Sequence, residues 1–242
     1  MLLAAMWGGI AGSSLVLGAL LGVYKDIPNK VSAFVMAFGT GVLIGAATFE
    51  LLSDATRDGG ILYPSIGFLI GATLFILAEL FISKKGGQER KRSKENPSTH
   101  SGMAIFIGTI IDAIPESVII GVSLLENKTV SWVIVIAIFI SNFPEGLSSS
   151  IGFKKDGYSK GKILILWVVV MILSSVSSLL GFVFIDPSST LVITIIGAFA
   201  AGGIFAMVSS TMLPEAFEEG GPIVGFLSAL GLLTALILTY FE

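Results

Sequence analysis

Long apolar runs broken by short polar stretches make up most of this chain. Eight of the runs reach span length, at roughly 2–24, 31–53, 61–83, 101–125, 129–153, 161–185, 190–216 and 221–241, each close to the ~20 residues a helix needs to cross a bilayer. The runs are continuous rather than alternating, and a helix satisfies its own backbone, so helices are expected and not a barrel. The pattern predicts an all-α polytopic membrane protein, one transmembrane domain over 1–242. The single long polar stretch, KKGGQERKRSKENPSTH at 84–100, reads as a solvated linker between the third and fourth spans.

Charge placement orients the spans. Lys25 and Lys30 lie in the first loop. Lys84, Lys85, Arg90, Lys91, Arg92 and Lys94 lie in the third, and Lys154, Lys155, Lys160 and Lys162 in the fifth. All three loops fall on one side, and only Arg57 and Lys128 fall on the other. Basic loops stay cytoplasmic, so both termini are expected outside and the 84–100 linker inside, in a plasma-membrane protein. Composition agrees: 54% of residues are hydrophobic and 13% charged, with a mean hydropathy of +0.93. A soluble domain carries about a quarter charged residues. The absence of cysteine excludes disulfides and thiolate metal sites. The opening MLLAAMWGG lacks a basic n-region, so no cleavable signal is expected.

Six acids nonetheless stand inside the runs: Glu50, Glu79, Asp112, Glu116, Glu145 and Glu215. No Lys, Arg or His lies well inside any of them. A carboxylate at the bilayer centre costs roughly 2.5–3.5 kcal/mol. With no internal base, the acids are protonated, face water, or bind a cation from solution. The last two together describe a cation pathway.

Three of the acids share a pattern. Asp112-Ala-Ile-Pro-Glu116, Ser141-Asn-Phe-Pro-Glu145 and Thr211-Met-Leu-Pro-Glu215 each set an oxygen-bearing side chain four residues before a glutamate, with proline between. Residues i and i+4 share a helix face. The proline lacks an N–H, which frees the carbonyl four residues earlier: Ile111, Ile140 and Ser210. Each motif therefore aims two side-chain oxygens one way, beside a bare carbonyl. Asn142 adds a further carbonyl oxygen. The candidate metal ligands are Asp112, Glu116, Ser141, Asn142 and Glu145, near mid-membrane. Glu50 near the outer end and Glu215 near the inner end are candidate pathway acids. Their matching places in the first three and last three spans predict an inverted repeat around the fourth and fifth, a 3+2+3 arrangement. Glu79 reads as a scaffold or interfacial acid, and His100 as a solvated loop residue. Ser148, Ser149 and Ser150 suit either pathway hydroxyls or helix packing. Gly39, Gly41 and Gly45 suit close packing.

On these residues the chain resembles the ZIP family of divalent-metal transporters, across its whole length. DAIPES and SNFPEG stand where that family carries His-Asn-x-Pro-Glu-Gly and a related fifth-span motif, and TMLPEAFEEGG resembles the seventh span of bacterial members. The resemblance implies an eight-helix fold with inverted repeats, no prosthetic group, and metal uptake toward the cytoplasm. The transport mode it implies is a bundle sliding past a scaffold, commonly in a dimer. By position, Asp112, Glu116, Ser141 and Glu145 would line a primary metal site. Glu116, Asn142 and Glu145 would line an adjoining one, and Glu215 would be the exit acid. The family's histidine is Asp112 here, its asparagine is Ala113, and Ser141 replaces His or Gln. No imidazole remains, and all-oxygen donors suit Mn²⁺, Mg²⁺ or Ca²⁺ better than Zn²⁺; carboxylates do bind Zn²⁺, and Zn²⁺, Mn²⁺, Fe²⁺ and Cd²⁺ are the candidate cargo. An intramembrane enzyme is disfavoured because the lone His lies in a loop. A proton- or sodium-coupled cation exchanger of another fold shares the acids but does not require the repeated motif. Besides the metal ion and the bilayer, no nucleic-acid partner is expected.

Overall fold

The computed structural model describes residues 1–25, 27–84, 101–127, 129–186 and 189–242. The linker expectation for 85–100, together with His100 and Lys128, lies outside the described residues. The described residues form ten α-helices: α1 (Leu2–Tyr24), α2 (Asn29–Ala46), α3 (Ser53–Gly59), α4 (Leu62–Lys84), α5 (Ser101–Asn127), α6 (Trp132–Lys155), α7 (Lys160–Phe184), α8 (Thr190–Met207), α9 (Leu213–Gly220) and α10 (Ile223–Phe241). Two π-helical segments, Ala47–Leu52 and Val208–Met212, join α2 to α3 and α8 to α9. Among the described residues, eight helical stretches are long and apolar enough to cross a membrane. The second and seventh spans run on past their apolar stretches, to Gly59 and Gly220. Polar residues such as Asp54, Arg57, Glu218 and Glu219 do not break a helix. The chain stops instead at Gly60 (φ 67°, ψ −161°) and Gly221 (φ 70°, ψ −161°), a backbone region open almost only to glycine.

These two stops belong to a larger correspondence. An 18-residue helix, a π segment, a short helix, a glycine at positive φ and a long helix follow one another twice. The first copy runs from α2 to α4 and the second from α8 to α10, crossing in opposite directions. The inverted repeat is thus written in backbone geometry where residue identity shows it only faintly.

Helix packing sorts the spans into two bundles. In one, α1 packs on α6 and α7, and α5 packs on α6 and α7. In the other, α4 packs on α8, and α2 on α10 and α9. Lipid offers no hydrophobic drive between helices, so close backbone approach through small residues must hold them. Four reciprocal glycine pairs supply it. A methyl group on Gly18 would strike the Phe143 carbonyl, and one on Gly146 the Leu15 carbonyl, locking α1 to α6. Gly121 and Gly181 do the same for α5 and α7, Gly41 and Gly231 for α2 and α10, and Gly71 and Gly202 for α4 and α8. All four pairs lie within a bundle. Between bundles the main contact is α2 on α6. The outward faces of α4, α7 and α10 are apolar and exposed, as at Leu69, Ile165 and Phe226, which suits lipid.

The face holding residues 1 and 242 is called here the terminal face, and the opposite one the basic face. Replacing Gly146 with leucine should destabilise the fold by about 1–3 kcal/mol through overpacking. Gly161→Ala, where an added Cβ meets nothing within 4 Å, should be neutral or stabilise by up to about 1 kcal/mol. Thermal unfolding in detergent compares the two.

Candidate metal site

The fourth and fifth spans, α5 and α6, run antiparallel and carry Pro115 and Pro144 within continuous helices. Both prolines remove a backbone donor where the helix is buried. Spacing of four residues places Asp112 with Glu116 on one face of α5, and Ser141 with Glu145 on one face of α6. All five predicted ligands are buried: Asp112 is 5% exposed, Glu116 4%, Ser141 0%, Asn142 3% and Glu145 6%. Charged groups sunk this deeply are expected to be paired or metal-bound. The basic residues of α6, Lys154 and Lys155, lie in its last turn, away from the motif.

Glu116 sits at the electrostatic centre. The carboxylates of Glu145 and Asp112 both act on it, and its Oε2 has no hydrogen-bond partner among the described residues. The Ser141 hydroxyl donates to the Ile138 carbonyl at 3.1 Å, which leaves its lone pairs available to a cation. Glycines set the walls. Gly146, beside Glu145, seats α6 on α1, while a Cβ at Gly39 of α2 would come within 3.1 Å of the Ser141 Cα. A cavity of about 270 Å³ opens between α4, α5 and α8 and reaches Asp112 and Glu116, with Leu74, Phe75, Ile204 and Met207 among its apolar walls. It is large enough for several waters.

Among the described residues, no three His, Cys, Asp or Glu side chains stand close enough to hold a metal ion. Like charges repel. Bringing these carboxylates to the ~2.0–2.6 Å of a shared ion takes a cation between them. The arrangement is a set of buried side-chain oxygens on two packed helices.

The remaining predicted residues lie elsewhere. Glu50 is in the first π segment at the terminal face, where its Oε1 accepts from Thr239 Oγ1 at 2.6 Å and its Oε2 from Ser131 Oγ at 3.2 Å. Glu215 lies in the first turn of α9, toward the basic face. In the third motif Pro214 stands near the start of α9 after a π segment, and the Thr211 hydroxyl donates to the Met207 carbonyl at 2.6 Å, as that of Ser141 does to Ile138. Of the three serines, Ser150 accepts from Trp167 Nε1 at 2.8 Å and serves packing, while Ser148 meets Ser32 of α2 at 3.4 Å. Glu79 is partly buried on α4. Sequence reasoning missed Ser131, Thr239 and Glu242. The one available signal was Ser131 itself, a hydroxyl residue directly before an apolar run, as helix N-caps are.

A model of the family described as ZIP Zinc transporter matches residues 82–240. An Arabidopsis thaliana protein named "Putative zinc transporter At3g08650" is 26% identical over 208 residues, covering 85% of this chain. The chain spans 33% of that relative's length.

Two substitutions separate charge from shape at the site. Glu116→Gln should weaken equilibrium binding of Mn²⁺ or Zn²⁺ by at least the roughly 10–100-fold that even outer-shell partners carry. Ser141→Ala, which removes a neutral donor atom, should cost less. Calorimetric titration of the purified variants reads both.

Proposed function

The chain belongs to the ZIP zinc transporter family, and on that premise we propose that it carries divalent metal ions across the membrane toward the cytoplasm. The carrying observation is the buried acid set of Asp112, Glu116 and Glu145 on two packed helices, in which Glu116 Oε2 has no hydrogen-bond partner among the described residues. Such a set tolerates burial when a positive guest supplies the missing charge. A resident metal would serve the same end, but α5 and α6 belong to a bundle that meets the other mainly through α2 and α6. Motion of α1, α5, α6 and α7 against the α2–α4 and α8–α10 scaffold would expose the site to one face at a time, an elevator-type alternating access. The weight of basic loops on the face opposite the termini supports placing that face in the cytoplasm of a plasma-membrane protein.

The ligand set bears on the cargo. Carboxylate, hydroxyl and amide oxygens suit Mn²⁺ and also bind Zn²⁺, Fe²⁺ and Cd²⁺, with less preference for Zn²⁺ than an imidazole site would have. Ala113 offers no ligand where the family's second site has asparagine, which favours a single bound ion. Glu50 and Glu215 stand toward opposite faces, as the two ends of a route would. The apolar outer faces leave room for a second copy, and a homodimer is the assembly we propose.

Uptake into metal-free proteoliposomes is the direct test. A gradient of Mn²⁺ or Zn²⁺ should drive uptake that does not need sodium, and Glu116→Gln or Glu145→Gln should abolish it while the proteins remain monodisperse. Undiminished uptake in either variant refutes the site. Asp112→His should raise the Zn²⁺ to Mn²⁺ uptake ratio. An unchanged ratio means that Asp112 does not touch the ion.

A further inference from the structure

One face of α6 can be followed from end to end along α2. Helical spacing aligns Ser131, Ile134, Ala137, Ser141, Glu145 and Ser148 on it. At the middle, Gly39 abuts Ser141. Toward the basic face the link is a hydroxyl pair, Ser32 with Ser148 at 3.4 Å. At the terminal face the link is of a different kind.

The first four N–H groups of a helix have no partner within it. In α6, Ser131 N donates to Ser123 Oγ of α5 at 3.4 Å, and Ile134 N to the Ser131 side chain at 3.3 Å. The other two are satisfied from the scaffold. Trp132 N donates to Glu242 Oε1 at 3.0 Å, and Val133 N to Glu242 Oε2 at 3.4 Å. Ser131 Oγ stands 3.4 Å from Glu242 Oε2 and 3.2 Å from Glu50 Oε2, so its one proton serves either carboxylate in turn. Thr239 Oγ1 donates to Glu50, tying α10 to the first π segment. Two carboxylates from the scaffold thus grip the start of the helix that carries Ser141, Asn142 and Glu145. A negative charge at a helix N-terminus is favoured by the helix dipole, and hydrogen bonds to a charged group are the stronger kind. The two carboxylates also repel each other, so the grip is firm without being permanent.

We propose that Glu242, Glu50, Ser131 and Thr239 form a latch that holds the terminal face shut and positions α6 for access from the basic face. This rests on the alternating-access reading above. Glu50 is then a positioning residue as well as an acid near the route. Release frees the N–H groups of Trp132 and Val133, and these need water. That need is met at the end of the membrane where the latch sits, with Trp132 itself 52% exposed.

The chain contains no cysteine, so single-cysteine labelling has a clean background. Ala137→Cys and Ser148→Cys would each be placed in the full chain and in the Glu242→Ala and Thr239→Val backgrounds. Labelling would use a polar maleimide in nanodiscs, where both faces are reachable. A minor conformer is commonly populated at about 0.1–10%, so loosening the latch should raise the labelling rate at position 137 by about tenfold and lower it at position 148. Thr239→Val should shift both in the same direction by less. A rise at 137 with no fall at 148 would show only a frayed end of α6 and would overturn the latch, as would no change at either position. Metal uptake by the single-cysteine proteins, measured in parallel, separates the two ideas. Uptake with unmoved labelling sinks the latch alone, while absent uptake sinks the transport reading.

Discussion

Much of this molecule is arranged around acids buried in its membrane-spanning helices. Asp112, Glu116 and Glu145 are each less than a tenth exposed, and the only basic residues of α6, Lys154 and Lys155, stand in its last turn at the basic face. A carboxylate in such a place can be stabilised by a proton, by water or by a cation. The local chemistry favours the last two. Pro115 and Pro144 strip donors from the neighbouring carbonyls instead of adding them, Ser141 sends its only proton backwards, and Glu116 keeps an oxygen without a donor. Each of these details adds acceptor capacity to a place already rich in it. A core built for its own stability would do the opposite.

Reciprocal glycine pairs pack helices within each bundle, and α2 on α6 is the main contact between the bundles. Glycine pairs bring α1 onto α6 and α5 onto α7 until backbone meets backbone, so the two ligand-bearing helices are fixed to a common frame. The α2 and α6 pair, which joins the frames, has Gly39 against Ser141 and small hydroxyls at the basic end. Small and weakly bonded surfaces can slide with little loss. Repulsion among the acids would otherwise push α5 and α6 apart, and the clamping by α1 and α7 resists it.

Much of this was legible in the sequence, for physical reasons that can be named. The eight helices follow from run length, because a bilayer sets a length scale that soluble proteins lack. The shared faces of the candidate ligands follow from spacing, because a helix turns Asp112 and Glu116, or Ser141 and Glu145, onto one side whatever surrounds it. The third motif differs in its backbone. Thr211 and Glu215 have the same spacing, yet a π segment ends just before Pro214 and the threonine bonds its own helix. Nothing in Ala47–Leu52 signals the other π segment, since it contains neither proline nor glycine. Its existence is a tertiary fact, set by packing against α8. Reciprocal glycine pairs were likewise half legible: Gly41 read correctly as a packing residue, but its partner Gly231, 190 positions away, is named only by the fold.

The two ends of α6 then differ for a reason that reaches back to the central charge. On the transport reading, a site that holds a cation in oil is not also open to both faces, since an open channel would equilibrate the ion without control. One end has to be closed by contacts strong enough to persist and weak enough to break where water can take over the freed groups. Backbone N–H groups at a helix start meet both conditions when a carboxylate from the neighbouring bundle accepts them. Glu242 is such a carboxylate, and Ser131 couples it to Glu50 on the π segment. The hydroxyl pair at the other end meets only the second condition. On the latch reading, the hold on α6 at the terminal face lies in the few residues that cap this one helix, Ser131, Glu50, Thr239 and Glu242.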